Sequence, residues 1–411
     1  MTTIAPEMTR TTLVQWRTAI FALFLVCGVT FASWASRLPS VKRALGIGDL
    51  ELGMLLFVMG AGSLVGLTLA NIIVVRWGAR RGLYVMFSGL TIALIIVGVG
   101  VETLGSFPVA AVGLALMGLT FGASDVMINV EAAAVEQRFG KTLMPLFHAF
   151  FSLGTVAGAG IGVAMAAWQV PVSAHLWAVA VLVVAVTVVS LRFVPVHDPT
   201  DVEAGSPVSS RRERFSAALE VWREPRIYAI GLIMLGMAFA EGSANDWLTI
   251  AVVDGHGQTE AVGAIALTVF SVAMTAFRAV GGPLVDRMGR VWTLRILSVA
   301  AAAGLITFIL APNLPVAFIG IALWGAGASL GFPLGMSAAA DDPTRAAASV
   351  SAAATIGYVA FLCGPPVLGW ISHQIGILPT LWIIVGLIIV SGLASGAAKP
   401  IAGSQVGVGR H

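Results

Sequence analysis

The sequence predicts an all-α membrane protein, with twelve transmembrane helices in two six-helix, pseudo-symmetric bundles. Three observations predict it: an apolar composition, a series of span-length hydrophobic runs, and two halves that resemble each other. Over 411 residues the chain is 58% hydrophobic and 10% charged, with mean hydropathy +0.95. Soluble domains carry about 25% charged residues. A soluble globule this apolar has too little polar surface to face water.

A helix crosses the bilayer in about 20 mostly apolar residues, because each residue rises ~1.5 Å through a core ~30 Å thick. Such runs lie at 17–37, 50–75, 83–101, 108–133, 143–167 and 175–194, then at 226–250, 261–285, 291–311, 315–339, 345–370 and 379–398. None alternates polar and apolar residues as a barrel strand does, so the spans are helices. The first run has span length and no cleavage site, so no signal peptide is expected. Cys27 and Cys363 both fall inside spans and read as small hydrophobes.

The basic residues predict topology. With the N-terminus in the cytoplasm, nineteen of the 23 Lys and Arg fall on the cytoplasmic side. Arg37, Lys42 and Arg43 fall outside, and Arg278 is left within the membrane. Both termini are therefore expected in the cytoplasm. The net charge of +3 serves this asymmetry and carries no sign of a nucleic-acid partner.

The polar stretch 195–225 divides the chain into bundles at 1–194 and 226–411. It reads as a cytoplasmic linker whose Arg211-Arg212-Glu-Arg214-Phe to Trp222 portion has the pattern of an interfacial amphipathic helix. Across it, Gly28-Val-Thr-Phe31-Ala32 matches Gly236-Met-Ala-Phe239-Ala240, and Gly154-Thr-Val156-Ala157 matches Gly357-Tyr-Val359-Ala360. The clearest match is Arg76-Trp-Gly78-Ala-Arg80-Arg81 after the second span with Asp286-Arg287-Met-Gly289-Arg290 after the eighth. Parallel repeats of this kind are a transporter architecture.

Gly282-Pro-Leu-Val-Asp286-Arg287-Met-Gly289-Arg290 resembles the signature loop of the major facilitator superfamily, G-x-x-x-D-R-x-G-R. The first copy departs from it, with Val75 at the Asp position and Asn71 at the Gly position. In such a loop glycine permits a sharp turn, while Asp and Arg bind helix ends. Arg76, Asp286, Arg287 and Arg290 are thus expected to clamp the cytoplasmic face, with a weaker clamp in the first half. A narrower resemblance rests on Gly122-Ala-Ser-Asp125 to Asn129, on Pro145-Leu-Phe147-His148 to Gly154, and on Glu241-Gly242 to Trp247. These segments are similar to a bacterial branch containing rhizopine-cluster membrane proteins, and more distantly to fucose:proton permeases. The resemblance implies alternating-access transport of a small polar solute (a sugar, polyol or amino-polyol) across a bacterial cytoplasmic (inner) membrane. Drug or metabolite efflux by proton antiport and proton-independent uniport are the alternatives. The fifth span lacks the Gly-Pro pair of drug:proton antiporters; Gly364-Pro365-Pro366 stands in the eleventh instead.

Charges inside a membrane are costly and tend to be functional. Asp125 lies near mid-bilayer in the fourth span, with Asn129 one turn on and on the same face. Glu241 lies just past the middle of the seventh, with Asn245 one turn beyond. Ser33 occupies the repeat position of Glu241, so the acid belongs to the second half alone. Asp125, Asn129, Glu241 and Asn245 are expected to bind solute, with Trp34, Trp324 and Tyr358 stacking on it. Asp125, Glu241, Glu131 and His148 are candidates for proton coupling, since a carboxyl without a countercharge in low dielectric favours its neutral form. Arg278 is the available charge partner, for a helix acid or for an anionic group. Arg37 and Asp246, at similar depth on repeat-related helices, are expected to pair as an outer gate. Glu136, at a helix end, reads as structural.

Gly62-x-x-x-Gly66 and Gly154-x-x-x-Gly158-x-x-x-Gly162 allow close helix approach. Gly60-x-Gly62-x-x-x-Gly66 is not a nucleotide motif, because no βαβ unit surrounds it. With no phosphate loop, six scattered His and two Cys, the chain offers neither an ATP motor nor a metal enzyme. No cofactor and no metal are expected. The expected partners are the solute, protons and lipid, with the protein a monomer.

Overall fold

The computed structural model describes residues 9–139, 143–195, 220–342 and 345–401. Among them there is no strand, and twelve helices are long and apolar enough to cross a membrane. The part of 211–222 read as an amphipathic helix lies almost wholly outside the described residues.

The helices are α1 (Arg10–Ala35), α2 (Leu38–Leu45), α3 (Asp49–Gly98), α4 (Phe107–Phe139), α5 (Met144–Ala167) and α6 (Val172–Ser190). Then come α7 (Pro225–Ile250), α8 (Glu260–Ala279), α9 (Gly281–Ile309), α10 (Leu314–Ala328), α11 (Gly331–Ala339), α12 (Ala346–Ile375), α13 (Ile377–Thr380) and α14 (Trp382–Ala394). Short π-helical turns, Val99–Thr103 and Ala251–Gly255, extend α3 and α7. Side-chain caps start several of them: the Thr9 hydroxyl accepts from Thr12 N at 3.2 Å, and the Asn313 side chain accepts from Val316 N at 3.1 Å.

Two units emerge from the packing. One comprises Met1–Ile47 with Met54–Ser206, and the other Gly48–Gly53 with Pro207–His411.

In unit 1, α1 packs on α5 through glycines that admit backbone-to-backbone contact. A Cβ on Gly154 would lie 2.1 Å from the Leu25 carbonyl oxygen, and one on Gly158 would lie 2.4 Å from that of Val29. Lipid is as apolar as leucine, so association rests on such close van der Waals contact rather than on exclusion of water. Phe21 and Phe147 add a ring contact at 4.5 Å.

Unit 2 is built around α7. Ile230, Ile233 and Met234 of α7 meet Leu294 and Leu297 of α9 and Leu334 of α11 in one buried cluster.

At 76–82 and 286–290 two helices meet at a single non-helical residue, Gly78 and Gly289, so each connection is the tight glycine turn expected. The structure changes the expected spans in one respect. The tenth span is instead broken into α10 and α11 at Ser329–Leu330.

Candidate functional site

Unit 1 holds its candidate residues on α1, α4 and α5. Asn129 turns its amide back one turn on α4, donating to the Asp125 carbonyl at 2.8 Å and to Asp125 Oδ1 at 3.3 Å. Asp125 is exposed on the helix surface and lies near the middle of α4. Among the described residues no Lys or Arg forms an ion pair with it. Glu131 is different. It is 2% exposed and accepts from Trp16 Nε1 at 2.9 Å, so it bonds α4 to α1. That placement buries its carboxyl at the contact of α4 with α1. His148 is exposed on α5, its ring edge against Phe24 at 5.3 Å.

At one end of unit 1, buried Arg37 donates from Nη2 to the Val170 carbonyl at 2.7 Å and from Nε to Ser40 Oγ at 3.2 Å. Burial pulls this guanidinium below the usual arginine value; the Glu102 carboxylate opposes that shift and Arg43 reinforces it. Glu102 caps α6, accepting from Val172 N at 2.6 Å and from Ser173 Oγ at 3.0 Å. Glu136 caps α5 in the same manner, accepting from Leu143 N at 2.5 Å and Met144 N at 2.7 Å. A carboxylate at a helix N-terminus satisfies backbone donors that the helix leaves open.

In unit 2 the central feature is an ion pair. Arg278 Nη2 lies 2.8 Å from Glu241 Oε2, and Arg278 Nε donates at 2.9 Å to the Ser329 carbonyl. Ser329 caps the C-terminal end of α10 at the break before α11, and a cation there complements that helix end. One arginine on α8 thus binds α7 and the broken tenth span together. Asn245 and Asp246 follow on α7, both partly exposed.

The tryptophans do not fit the stacking role. Trp34 is 1% and Trp324 0% exposed. The Trp324 ring is held against Phe270 at 5.4 Å and Phe308 at 6.2 Å. Both are core side chains, with almost none of either ring open to a solute. Tyr358 is 41% exposed, with Phe332 and Phe361 as ring neighbours.

At the signature-loop end of unit 2, Arg290 Nη2 and Arg226 Nη2 each lie 2.7 Å from a different oxygen of Asp341. Arg226 also donates to the Ala397 and Lys399 carbonyls, both at 3.0 Å. Asp341 was not singled out from sequence. The available signal was the acidic pair Asp341-Asp342 directly after the tenth span, within reach of the loop arginines. Arg76, Asp286 and Arg287 are exposed.

Twelve span-length helices, a duplicated glycine kink and membrane-embedded charges define a polytopic transporter rather than an enzyme. The family model of the Major Facilitator Superfamily matches residues 19–265 and 247–401. The chain belongs to the major facilitator superfamily. It is 26% identical over 379 residues to the membrane protein MosC of Rhizobium meliloti, covering 92% of this chain and 89% of that one. It is 29% identical over 379 residues to an uncharacterised transporter of this type from Yersinia pestis, covering 91% and 93% respectively. Among solved structures, the nucleoside transporter NupG aligns with a TM-score of 0.76 at 14% identity, over 94% of this chain and 100% of that one. The E. coli fucose:proton symporter FucP aligns with a TM-score of 0.62 at 17% identity, over 95% and 100%. At these identities the structural likeness concerns the fold alone.

Proposed function

We propose that this transporter moves a small polar solute across the bacterial cytoplasmic membrane by alternating access, coupled to protons through Asp125. The solute class is a sugar, polyol or amino-polyol. One contrast between two acids carries the reading. Glu241 has a guanidinium 2.8 Å away, whereas the hydrogen bonds of Asp125 come from the neutral amide of Asn129. A carboxyl in an ion pair must give up that pair to take a proton, whereas a carboxyl with only an amide partner has no ion pair to break. A carboxyl that gains and loses a proton can bias solute binding on the two sides of the membrane. The fold neighbours, a fucose:proton symporter and a nucleoside transporter, support a polar-solute reading.

The test is solute flux in proteoliposomes with and without an imposed pH gradient. Wild type should accumulate solute against its gradient when protons flow inward. Asp125→Asn should lose that accumulation while keeping solute counterflow. Transport that ignores the gradient in wild type removes the coupling, and gradient-driven accumulation in Asp125→Asn removes the residue.

A further inference from the structure

At the end of unit 1 where α1 meets α2 lies a buried polar cluster that the transport reading does not use. Arg37 is 3% exposed, and its Nε and Nη2 bond to Ser40 Oγ and to the Val170 carbonyl. Its Nη1 is equally buried and has no hydrogen-bond partner among the described residues. The first turn of α6 carries a second group of this kind. His175 is 1% exposed, and neither nitrogen of its ring has a partner among the described residues.

The two groups share one locality. Arg37 bonds to the Val170 carbonyl, and the His175 backbone N–H donates to the adjacent Pro171 carbonyl at 3.1 Å. The imidazole also lies within reach of the Arg37 charge. Glu102 completes the cluster at the same turn, through Val172 N and Ser173 Oγ. Its carboxylate acts on Arg37 through space, and among the described residues the two form no direct ion pair.

Buried polar groups in folded proteins are hydrogen-bonded, and one left unpaired costs its desolvation. Three unpaired nitrogens in one place therefore point to a bonding partner from outside the chain. The chemistry of the cluster selects it. Arg37 Nη1 can only donate, whereas a neutral imidazole offers one N–H and one lone pair. A partner serving both must accept from the guanidinium and bond to the ring in either sense. Arg37 and Glu102 already balance each other in charge, so an added ion would be buried without a counterion, at high cost. Water is neutral, donates and accepts, and takes about three hydrogen bonds when buried.

We propose that unit 1 holds a structural water site between Arg37 and His175, the water accepting from Arg37 Nη1 and bonding to a ring nitrogen of His175. The α1–α2 junction is then tied to α6 twice, directly through Val170 and through water at His175. A bridging water is nearly as good in enthalpy as a direct bond.

Replacing the imidazole gives opposite signs with and without the water. A ring with no partner is a net cost, so an apolar replacement of similar shape is neutral or stabilising. A water-bonded ring contributes, and its loss also strands Arg37 Nη1. His175→Phe should therefore lower the melting temperature of the purified protein. His175→Gln should lower it less, because its amide can still bond water. A melting temperature for His175→Phe at or above wild type overturns the proposal, and equal losses in the two variants make the cost steric and overturn it as well. A high-resolution map of the wild-type protein tests the site without any variant. Density within hydrogen-bonding distance of Arg37 Nη1 and a His175 ring nitrogen is the expected result, and a map without it overturns the proposal. Anomalous scattering at that position after exchange into bromide would identify an anion and overturn the assignment to water.

Discussion

Gly78 and Gly289, at corresponding places in the two halves, hold the same backbone conformation: φ 75°, ψ 157° and φ 75°, ψ 160°. Each is the single non-helical residue at the kink where two helices meet. This region of backbone space is essentially restricted to glycine. The duplicated signature therefore preserves a kink even where its first copy has lost the Asp.

Replacing Gly289 isolates that requirement, because a Cβ there would meet nothing within 4 Å. Gly289→Ala should destabilise the protein by about 1–3 kcal/mol through backbone strain alone. Thermal melting in detergent measures it. Gly282→Ala is the control, since Gly282 also has open space at its Cβ but no positive φ. Equal melting temperatures for the two variants would remove the strain.

The Arg278–Glu241 pair should behave as a coupled unit. Arg278→Gln leaves Glu241 without its cation, and Glu241→Gln leaves Arg278 without its anion. Each single variant should cost about 1–3 kcal/mol, scaled down for side chains that are 30% and 19% exposed. The double variant should cost less than the sum by about 1 kcal/mol, read from melting of all four proteins. Strict additivity would show that the two groups do not interact in solution.

Asp341 joins two arginines with a side chain only 7% exposed. Asp341→Asn should lower stability by about 2–4 kcal/mol, because two guanidinium groups lose one shared anion. Its neighbour Asp342, 39% exposed and 3.9 Å from Arg345, should tolerate the same change with little effect. The comparison is one of melting temperatures and of transport rates. Equal effects at the two positions would count against Asp341 as the tie between α7, α9 and α11.

The charge asymmetry has a direct topological consequence. Reporter fusions at Gly205 and at His411 should both read cytoplasmic, because nineteen of 23 basic residues then lie on the inner side. An external signal at either position breaks the topology.

The sequence by itself determined the twelve spans, the two halves and the glycines of the signature, because hydropathy and backbone permissiveness are local properties. It also made Asp125, Glu241 and Arg278 conspicuous, since a charge in an apolar run stands out without any knowledge of its neighbours. Only the tertiary structure decided what each one meets. Arg278 finds Glu241 and Ser329, Glu131 finds Trp16, and Asp341 gathers Arg226 and Arg290. The same packing buried Trp34 and Trp324 and left Tyr358 exposed. The physical reason is rotation. A spanning helix that is apolar all the way round carries no stripe to say which face turns inward. Helix rotation and depth are set by close contacts such as Gly154 on Leu25, and these bring together residues far apart in the chain.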